Sequence, residues 1–206
     1  MRFVFLLLFL MCSVSAFARP VSYPGGWTLM SMNDVYANSV HVHYSPTAKY
    51  SVGWRHEYLH DESVHVDTGQ LNYLVRRWNG EASQGNVYLK SGIGVSYDGG
   101  DFEPAAFTGV ALDWEDRRYF IAYENRFFHA GGNGKFVKHK ARVGIAPYIG
   151  DYGDLHTWLM VQVDYDAGAD DNFSATPLVR LFKGVDMVEA GYNLDDGLLF
   201  NYIHRF

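Results

Sequence analysis

Histidine and methionine are concentrated in the first third of the chain. Five of its nine histidines lie between His41 and His65. Met30 and Met32 share one face of a predicted strand, and His41 and His43 share one face of the next. Imidazole suits copper, zinc and nickel, and thioether sulfur suits copper(I). The candidate ligands for copper or zinc are Met30, Met32, His41, His43, His56 and His60. The alternative is that these histidines are polar residues at the rim of the fold.

One histidine pair also matches a catalytic pattern. His56-Glu57-Tyr58-Leu59-His60 has the H-E-x-x-H spacing of zinc proteases. That motif works on a helix, where both histidines share a face and the glutamate reaches the metal-bound water. Here the residues continue an alternating strand, on which Glu57 points away from both histidines. The pattern therefore does not predict a protease.

A second short motif suggests an esterase as an alternative. His43-Tyr44-Ser45 resembles the His-x-Ser pair of outer-membrane phospholipases and lipid A deacylases, in which His is the base and Ser the nucleophile. Pro46 follows where those families have Asn. The sequence identifies no side chain that would orient His43, so a non-enzymatic role is favoured.

The amino terminus has the features of a secretory signal. Arg2 precedes an apolar run that is too short to span a bilayer, and 16–18 supply a small-x-small cleavage pattern. Residues 1–18 are therefore the predicted signal peptide, and 19–206 form one predicted domain. The single cysteine, Cys12, lies in the signal, so the mature chain has no thiol chemistry.

The mature chain alternates between apolar and polar residues throughout. Gly, Asp, Asn and Pro clusters separate runs of alternating residues, which is typical of strands joined by turns. Twelve strands are predicted, at 27–33, 39–44, 50–58, 70–79, 86–97, 107–115, 119–128, 135–148, 155–165, 174–182, 185–193 and 198–206. The predicted fold is all-β: a closed antiparallel up-and-down barrel of about twelve strands, with 10–12 as the range.

One face of these strands is apolar with aromatic ends, and the other carries charge and glycine. A membrane-spanning strand needs only about 9–11 residues. Because lipid-facing and lumen-facing residues alternate along it, the mean hydropathy of a whole barrel chain stays near neutral. The formal net charge of −6 disfavours nucleic acid as a partner. A secreted soluble barrel would bury the apolar face instead, and it remains an alternative at this stage.

The last strand carries the most specific pattern. One of its faces is formed by Leu198, Phe200, Tyr202, His204 and Phe206. This ending resembles the closing strand of Gram-negative outer-membrane β-barrels, which terminates in Phe and is read by the barrel assembly machinery. His204 departs from that pattern, which has an apolar residue there. The resemblance implies a transmembrane barrel in the cell outer membrane, surrounded by its lipids.

Polar faces turned inward would give a charged lumen. The predicted lumen charges are Arg55, Arg76, Lys90, Glu124, Arg126, Lys138, Lys140, Arg142, Arg180 and Glu189. They would either form an internal network of ion pairs, or leave a basic strip at Lys138, Lys140 and Arg142 that favours anions. The predicted function is a porin-like barrel that passes or binds small solutes or ions and is linked to copper or zinc handling.

Overall fold

Twelve strands account for most of the computed structural model, which describes residues 19–151, 153–167, 173–194 and 197–206. The predicted signal at 1–18 lies outside these described residues. The strands are β1 (Gly26–Asn33), β2 (Ala37–Thr47), β3 (Tyr50–Leu59), β4 (Val64–Asn79), β5 (Ser83–Tyr97), β6 (Glu103–Asp116), β7 (Tyr119–Ala130), β8 (Lys135–Ile145), β9 (His156–Asp166), β10 (Phe173–Lys183), β11 (Asp186–Asn193) and β12 (Gly197–Arg205). A short 3-10 helix at Gly131–Asn133 follows β7. Each predicted strand corresponds to one of these.

The sheet is a closed antiparallel barrel in which each strand pairs with its neighbours in sequence, and β1 pairs with β12. The seam is completed by the last residue. The Trp27 N–H donates to the Phe206 carbonyl at 2.7 Å, and the Phe206 N–H donates to the Trp27 carbonyl at 3.1 Å. The predicted fold class is confirmed.

The barrel has two ends. The terminal end holds the start of β1 and the end of β12, together with the connections after β2, β4, β6, β8 and β10. The far end holds the connections after β1, β3, β5, β7, β9 and β11.

Alternation places apolar side chains on the exterior. Val52, Leu89, Ile93, Val143 and Leu159 are among its exposed apolar residues. Exposed aromatic residues mark both ends: Trp27, Trp78, Trp114 and Tyr119 at the terminal end, and Tyr97, Phe127, Phe173 and Tyr192 at the far end. An apolar belt between aromatic girdles is the exterior of a transmembrane barrel. The soluble alternative is therefore wrong, because it requires the opposite distribution.

The prediction that Arg76 faces the lumen is wrong. The register of β4 against β5 shifts between Leu74 and Arg76, which indicates a bulge. Past this bulge, Arg76 is exposed on the outer face, with its guanidinium carbon 4.9 Å from the centroid of the Trp78 ring. Arg77 faces inward instead, and its Nε donates to Asn86 Oδ1 at 2.7 Å. The extra residue of a bulge reverses the faces of the residues that follow.

Two apolar clusters of inward-facing side chains narrow the interior. One includes Leu59, Val66, Phe107, Phe128 and Phe136 and lies towards the far end. Another is formed mainly by Phe120, Trp158, Met160, Leu178 and Leu199. These clusters reduce the space that is left for the lumen.

Among the described residues, no helix has the length and apolar character needed to cross a membrane.

Candidate functional site: the lumen

A cavity of about 260 Å³ lies inside the barrel. Its lining begins with Arg19 and Pro20 at the terminal end and reaches Tyr36, Lys138 and Asp166 at the far end. Most of the predicted lumen charges line this cavity, so the inward orientation of the polar face is as expected. The cavity is the candidate site, and its chemistry depends on how its charges are paired.

One ion-pair group joins β3 to β7, two strands that are not neighbours in the barrel. Glu57 on β3 accepts from the guanidinium of Arg55 at 2.6 Å and from that of Arg126 on β7 at 2.6 Å. Arg126 also lies 4.1 Å from the centroid of the Phe128 ring. This contact shares the cation between a carboxylate and an aromatic face. The group forms a fixed bridge across the interior.

A second group surrounds a fully buried carboxylate. Glu189 on β11 accepts from Arg180 Nε at 2.7 Å, from Arg142 Nη1 at 3.0 Å and from Asn201 Nδ2 at 2.7 Å. A buried carboxylate is stable when such donors satisfy it. Lys90 and Glu124 form a separate pair at 2.7 Å. These groups are the internal network that the sequence allowed as one interpretation.

The basic strip on β8 is also paired with acids. Lys138 Nζ lies 3.4 Å from Glu62 and 3.3 Å from Asp166. Lys140 Nζ lies 2.9 Å from Asp34 and 3.5 Å from Asp164. With Arg142 bound to Glu189, each of the three cations has a carboxylate partner. The strip therefore offers little uncompensated positive charge to an anion.

The far end is narrowed by the turn between β1 and β2. Asp34 in this turn accepts from the backbone N–H groups of Tyr36 and Ala37, each at 3.0 Å, and from Lys140 on the opposite wall at 2.9 Å. Burial opposes ionisation of Asp34, but Lys140 and the two N–H groups outweigh it and hold the pKa of that carboxyl below its usual range. An ion pair across the lumen thus fixes this turn.

The terminal end is narrowed by a different segment. We call residues 19–22, which precede β1, the inner strap. Arg19 of this strap is buried and pairs with Glu115 on β6. The Pro20 carbonyl accepts from Ser51 Oγ at 2.6 Å and from Asn72 Nδ2 at 3.5 Å. The strap is therefore bonded to β3, β4 and β6 inside the barrel.

Packing completes the inner strap. Val21 is 3% exposed and packs with Leu74 and Tyr88. The Ser22 N–H donates to Ser45 Oγ at 2.9 Å. The strap is thus held by neutral contacts as well as by its ion pair.

Two Met and two His residues from the list of candidate metal ligands line the lumen. Met30 lies opposite His41 in the β1–β2 register, and both point inward, as do Met32 and His43. The His41 and His43 rings are 5.7 Å apart between centroids. His41 Nε2 lies 3.0 Å from Ser39 Oγ. Neither ring nitrogen of His43 has a hydrogen-bond partner among the described residues.

The other two candidate metal ligands do not join them. His56 faces outward and lies 3.1 Å from Asp67, and His60 is in the turn after β3, with Nδ1 2.8 Å from the Val35 carbonyl. In the described parts of the chain, no group of three or more His, Cys, Asp or Glu side chains is placed to hold a metal. The prediction that His56 and His60 share a metal site with His41 and His43 is therefore wrong, because a barrel wall separates His56 from the lumen.

The esterase pair is also in the lumen. Ser45 is 1% exposed, and its hydroxyl is bonded to the inner strap. No described carboxylate contacts His43, so the group that would orient a catalytic base is missing. The geometry supplies neither access to lipid nor a third catalytic group, and the esterase alternative is not supported.

Several lining residues were not singled out by the sequence. Arg19 and Glu115 are far apart in the chain, and Asp34 lies in a segment between predicted strands. Met187 packs with Met30 inside the barrel. Met187 directly precedes Val188 on β11, so alternation places their side chains on opposite faces. This alternation was the available signal that Met187 faces inward.

No protein-family model and no curated protein matches the chain. Among solved structures, the chain is similar to the "KdgM porin in complex with disordered oligogalacturonate", with a TM-score of 0.51, 7% identity, and coverage of 88% of this chain and 98% of that chain. It is also similar to Pseudomonas aeruginosa OccK8 (OprE), with a TM-score of 0.44, 8% identity, and coverage of 85% of this chain and 62% of that chain. For the outer membrane protein OprD from the same organism, the TM-score is 0.41 and the identity 10%, with coverage of 85% of this chain and 61% of that chain.

At 7% identity, the first of these likenesses is one of fold. The closed sheet and its apolar exterior agree with it. The chain is an outer-membrane-type β-barrel, as its terminal strand predicted.

Proposed function

We propose that this barrel passes or binds small solutes or ions through its charged lumen. The observation that supports the proposal is the cavity lined by charged side chains between the inner strap and the far-end turns, enclosed by a membrane-facing wall. A barrel used only as a membrane anchor would not need hydrophilic space along its axis. Similar solved barrels include a porin in complex with an oligogalacturonate, which supports a role in solute passage.

The lining predicts weak charge selectivity. Basic and acidic side chains contribute equally to the cavity, eight of each. Because the members of the β8 strip are paired, selectivity depends on the balance between partners and not on the strip alone. A single charge reversal should therefore shift the ion preference measurably.

The test is conductance of the refolded barrel in planar bilayers. We expect small single-channel steps, and Lys140→Glu should shift the reversal potential in a salt gradient towards cation preference. The control is Lys183→Glu, which makes the same charge change on the exposed last residue of β10, outside the cavity lining. No conductance at any voltage, together with no solute uptake by vesicles that contain the barrel, would reject the proposal.

A second candidate function is metal binding in the lumen. It is supported by the convergence of Met30, Met32, His41 and His43 on the cavity. Refolded protein should then retain copper or zinc, and the double variant His41→Ala/His43→Ala should retain less. Full retention by the double variant would remove this candidate.

Outer-membrane lipids and the barrel assembly machinery are the partners that we propose for the exterior and the closing strand. The outward face of β12 supports this, because Leu198, Phe200 and Phe206 are all exposed. His204 is accommodated at the terminal end, where its Nδ1 lies 2.7 Å from Asp186.

A further inference from the structure

The lumen contains a group of sulfur side chains beside the two inward histidines. Met30 on β1 and Met187 on β11 are each paired with Ile203 on β12, one on either side of it. Met30 and Met187 are 7% and 3% exposed and pack in one cluster with Ile203. Met32 packs against the same cluster. Three thioether groups therefore lie on one section of the inner wall.

The histidines adjoin this group. His41 is the direct cross-strand partner of Met30, and directly opposed residues have Cβ atoms about 4.5–5.5 Å apart. His43 is 2% exposed, and both of its ring nitrogens are without a hydrogen-bond partner among the described residues. A buried imidazole in this state has an unused capacity to accept a proton, a hydrogen bond or a metal. All five side chains line the same cavity.

The composition of the group restricts the metal. Its five potential donors are neutral, and three are soft sulfur atoms, which suit copper(I) and silver(I) over zinc. Nearby charges act in the same direction. Arg55 is the cross-strand partner of His41, and the lining also includes Lys90. Both cations have carboxylate partners, but a divalent ion would still be repelled more strongly than a monovalent one.

We propose that Met30, Met187 and His43, with Met32 and His41 beside them, form a lumenal binding site for a soft monovalent metal ion, copper(I) or silver(I). The inference rests on the metal-binding candidate above and gives it an ion class and an additional ligand, Met187. An ion that enters the cavity reaches these donors without passing through the barrel wall, because all five face the cavity.

The probe is silver(I), which has the same ligand preference as copper(I) and needs no reductant. Refolded barrel in detergent should bind about one silver ion per chain in a calorimetric titration, and zinc should bind at least about a hundredfold more weakly, a difference of about 2.8 kcal/mol. Met30→Leu and Met187→Leu should each weaken silver binding at least about tenfold. These replacements nearly conserve volume, so the fold should persist.

The matched control is Met160→Leu. Met160 on β9 is also inward-facing and 3% exposed, but it packs in a different cluster with Trp158 and Leu178. Its replacement should leave silver binding unchanged. X-ray absorption of the copper(I)-loaded protein should show sulfur together with nitrogen in the coordination sphere.

The outcomes separate this inference from the functions on which it builds. Equal silver affinity in the wild type and the Met30→Leu/Met187→Leu double variant would overturn it, as would zinc binding as tight as silver binding. Tight zinc binding that is lost in the His41→Ala/His43→Ala variant would overturn the soft-ion class and leave the metal-binding candidate standing. Conductance by a barrel that binds no silver would leave only solute passage.

Discussion

The two ends of the lumen are narrowed by contrasting interactions. At the terminal end, the inner strap is held by hydrogen bonds between its backbone and side chains of the wall, by the packing of Val21 and by one buried ion pair. At the far end, the turn that carries Asp34 is held across the lumen by Lys140, which is about one-third exposed. The comparison indicates that the terminal end depends on a buried ion pair together with apolar packing, whereas the far end depends on a partly exposed ion pair. Different changes should therefore open each end.

The largest effect should come from Arg19→Ala at the terminal end. Removing the guanidinium leaves buried Glu115 without that partner, which costs about 3–5 kcal/mol. The inner strap should then leave the lumen, and single-channel conductance should rise several-fold.

Arg117→Ala is the matched control for this prediction, because Arg117 is exposed and its nearest carboxylate, that of Asp151, is 4.0 Å away. Its conductance should equal that of the wild type, since an exposed pair contributes at most about 1 kcal/mol. Unchanged conductance in Arg19→Ala would contradict the idea that the strap narrows the lumen.

A smaller effect is expected for Val21→Ala. Truncating this buried side chain against Leu74 and Tyr88 should weaken the closed position of the strap by about 1–2 kcal/mol. Hydrogen exchange of the Ser22 amide should accelerate about tenfold, since about 1.4 kcal/mol corresponds to a factor of ten.

Val185→Ala removes the same atoms from an exposed position in the turn after β10 and should leave Ser22 exchange unchanged. Equal exchange in all three proteins would show that the strap does not depend on Val21.

Acid should affect the far end. The pKa of Asp34 is held below its ordinary value by Lys140, so the ion pair is fully present above the ordinary carboxyl range and is lost as pH falls through the lowered pKa. Lys140 keeps its contact with Asp164, so the loss should be limited to about 1 kcal/mol.

The measurement is conductance against pH. Wild-type conductance should increase in acid, and Asp34→Asn should show the higher value already at neutral pH and respond less to acid. A full acid response in Asp34→Asn would mean that another group controls this end. Arg19→Ala provides the contrast, because its opening should be present at every pH.

The smallest effect should be that of salt. Raising ionic strength from 0.1 to 1 M shortens the Debye length from about 10 Å to about 3 Å. The partly exposed Lys140–Asp34 contact should weaken slightly, whereas the hydrogen bonds of the Pro20 carbonyl and the packing of Val21 should not. Conductance normalised to bulk conductivity should therefore rise slightly in the wild type and stay constant in Asp34→Asn.

The sequence predicted the wall of the barrel better than its contents. Alternation along each strand determines which residues face inward, so Arg55, Arg126 and Glu189 were correctly placed in the lumen. Arg76 was misplaced because a bulge adds one residue without a distinctive local pattern.

Contacts across the lumen were harder to predict. The pairs Arg19–Glu115 and Lys140–Asp34 join residues 96 and 106 positions apart. Alternation gives the face of a residue but not its depth along the barrel axis or its partner on the opposite wall. Met187 illustrates this limit, since its inward face followed from β11, but its contact with Met30 requires closure through β12.

The hydrogen bonds between Trp27 and Phe206 also constrain how the protein is made. Because the seam joins β1 to β12, the ring cannot close until β12 has been delivered to the membrane. Before that moment, β1 and β12 each present an open edge that could pair with another chain. A truncated product that lacks only its final strand would keep such an edge permanently and should aggregate or be degraded.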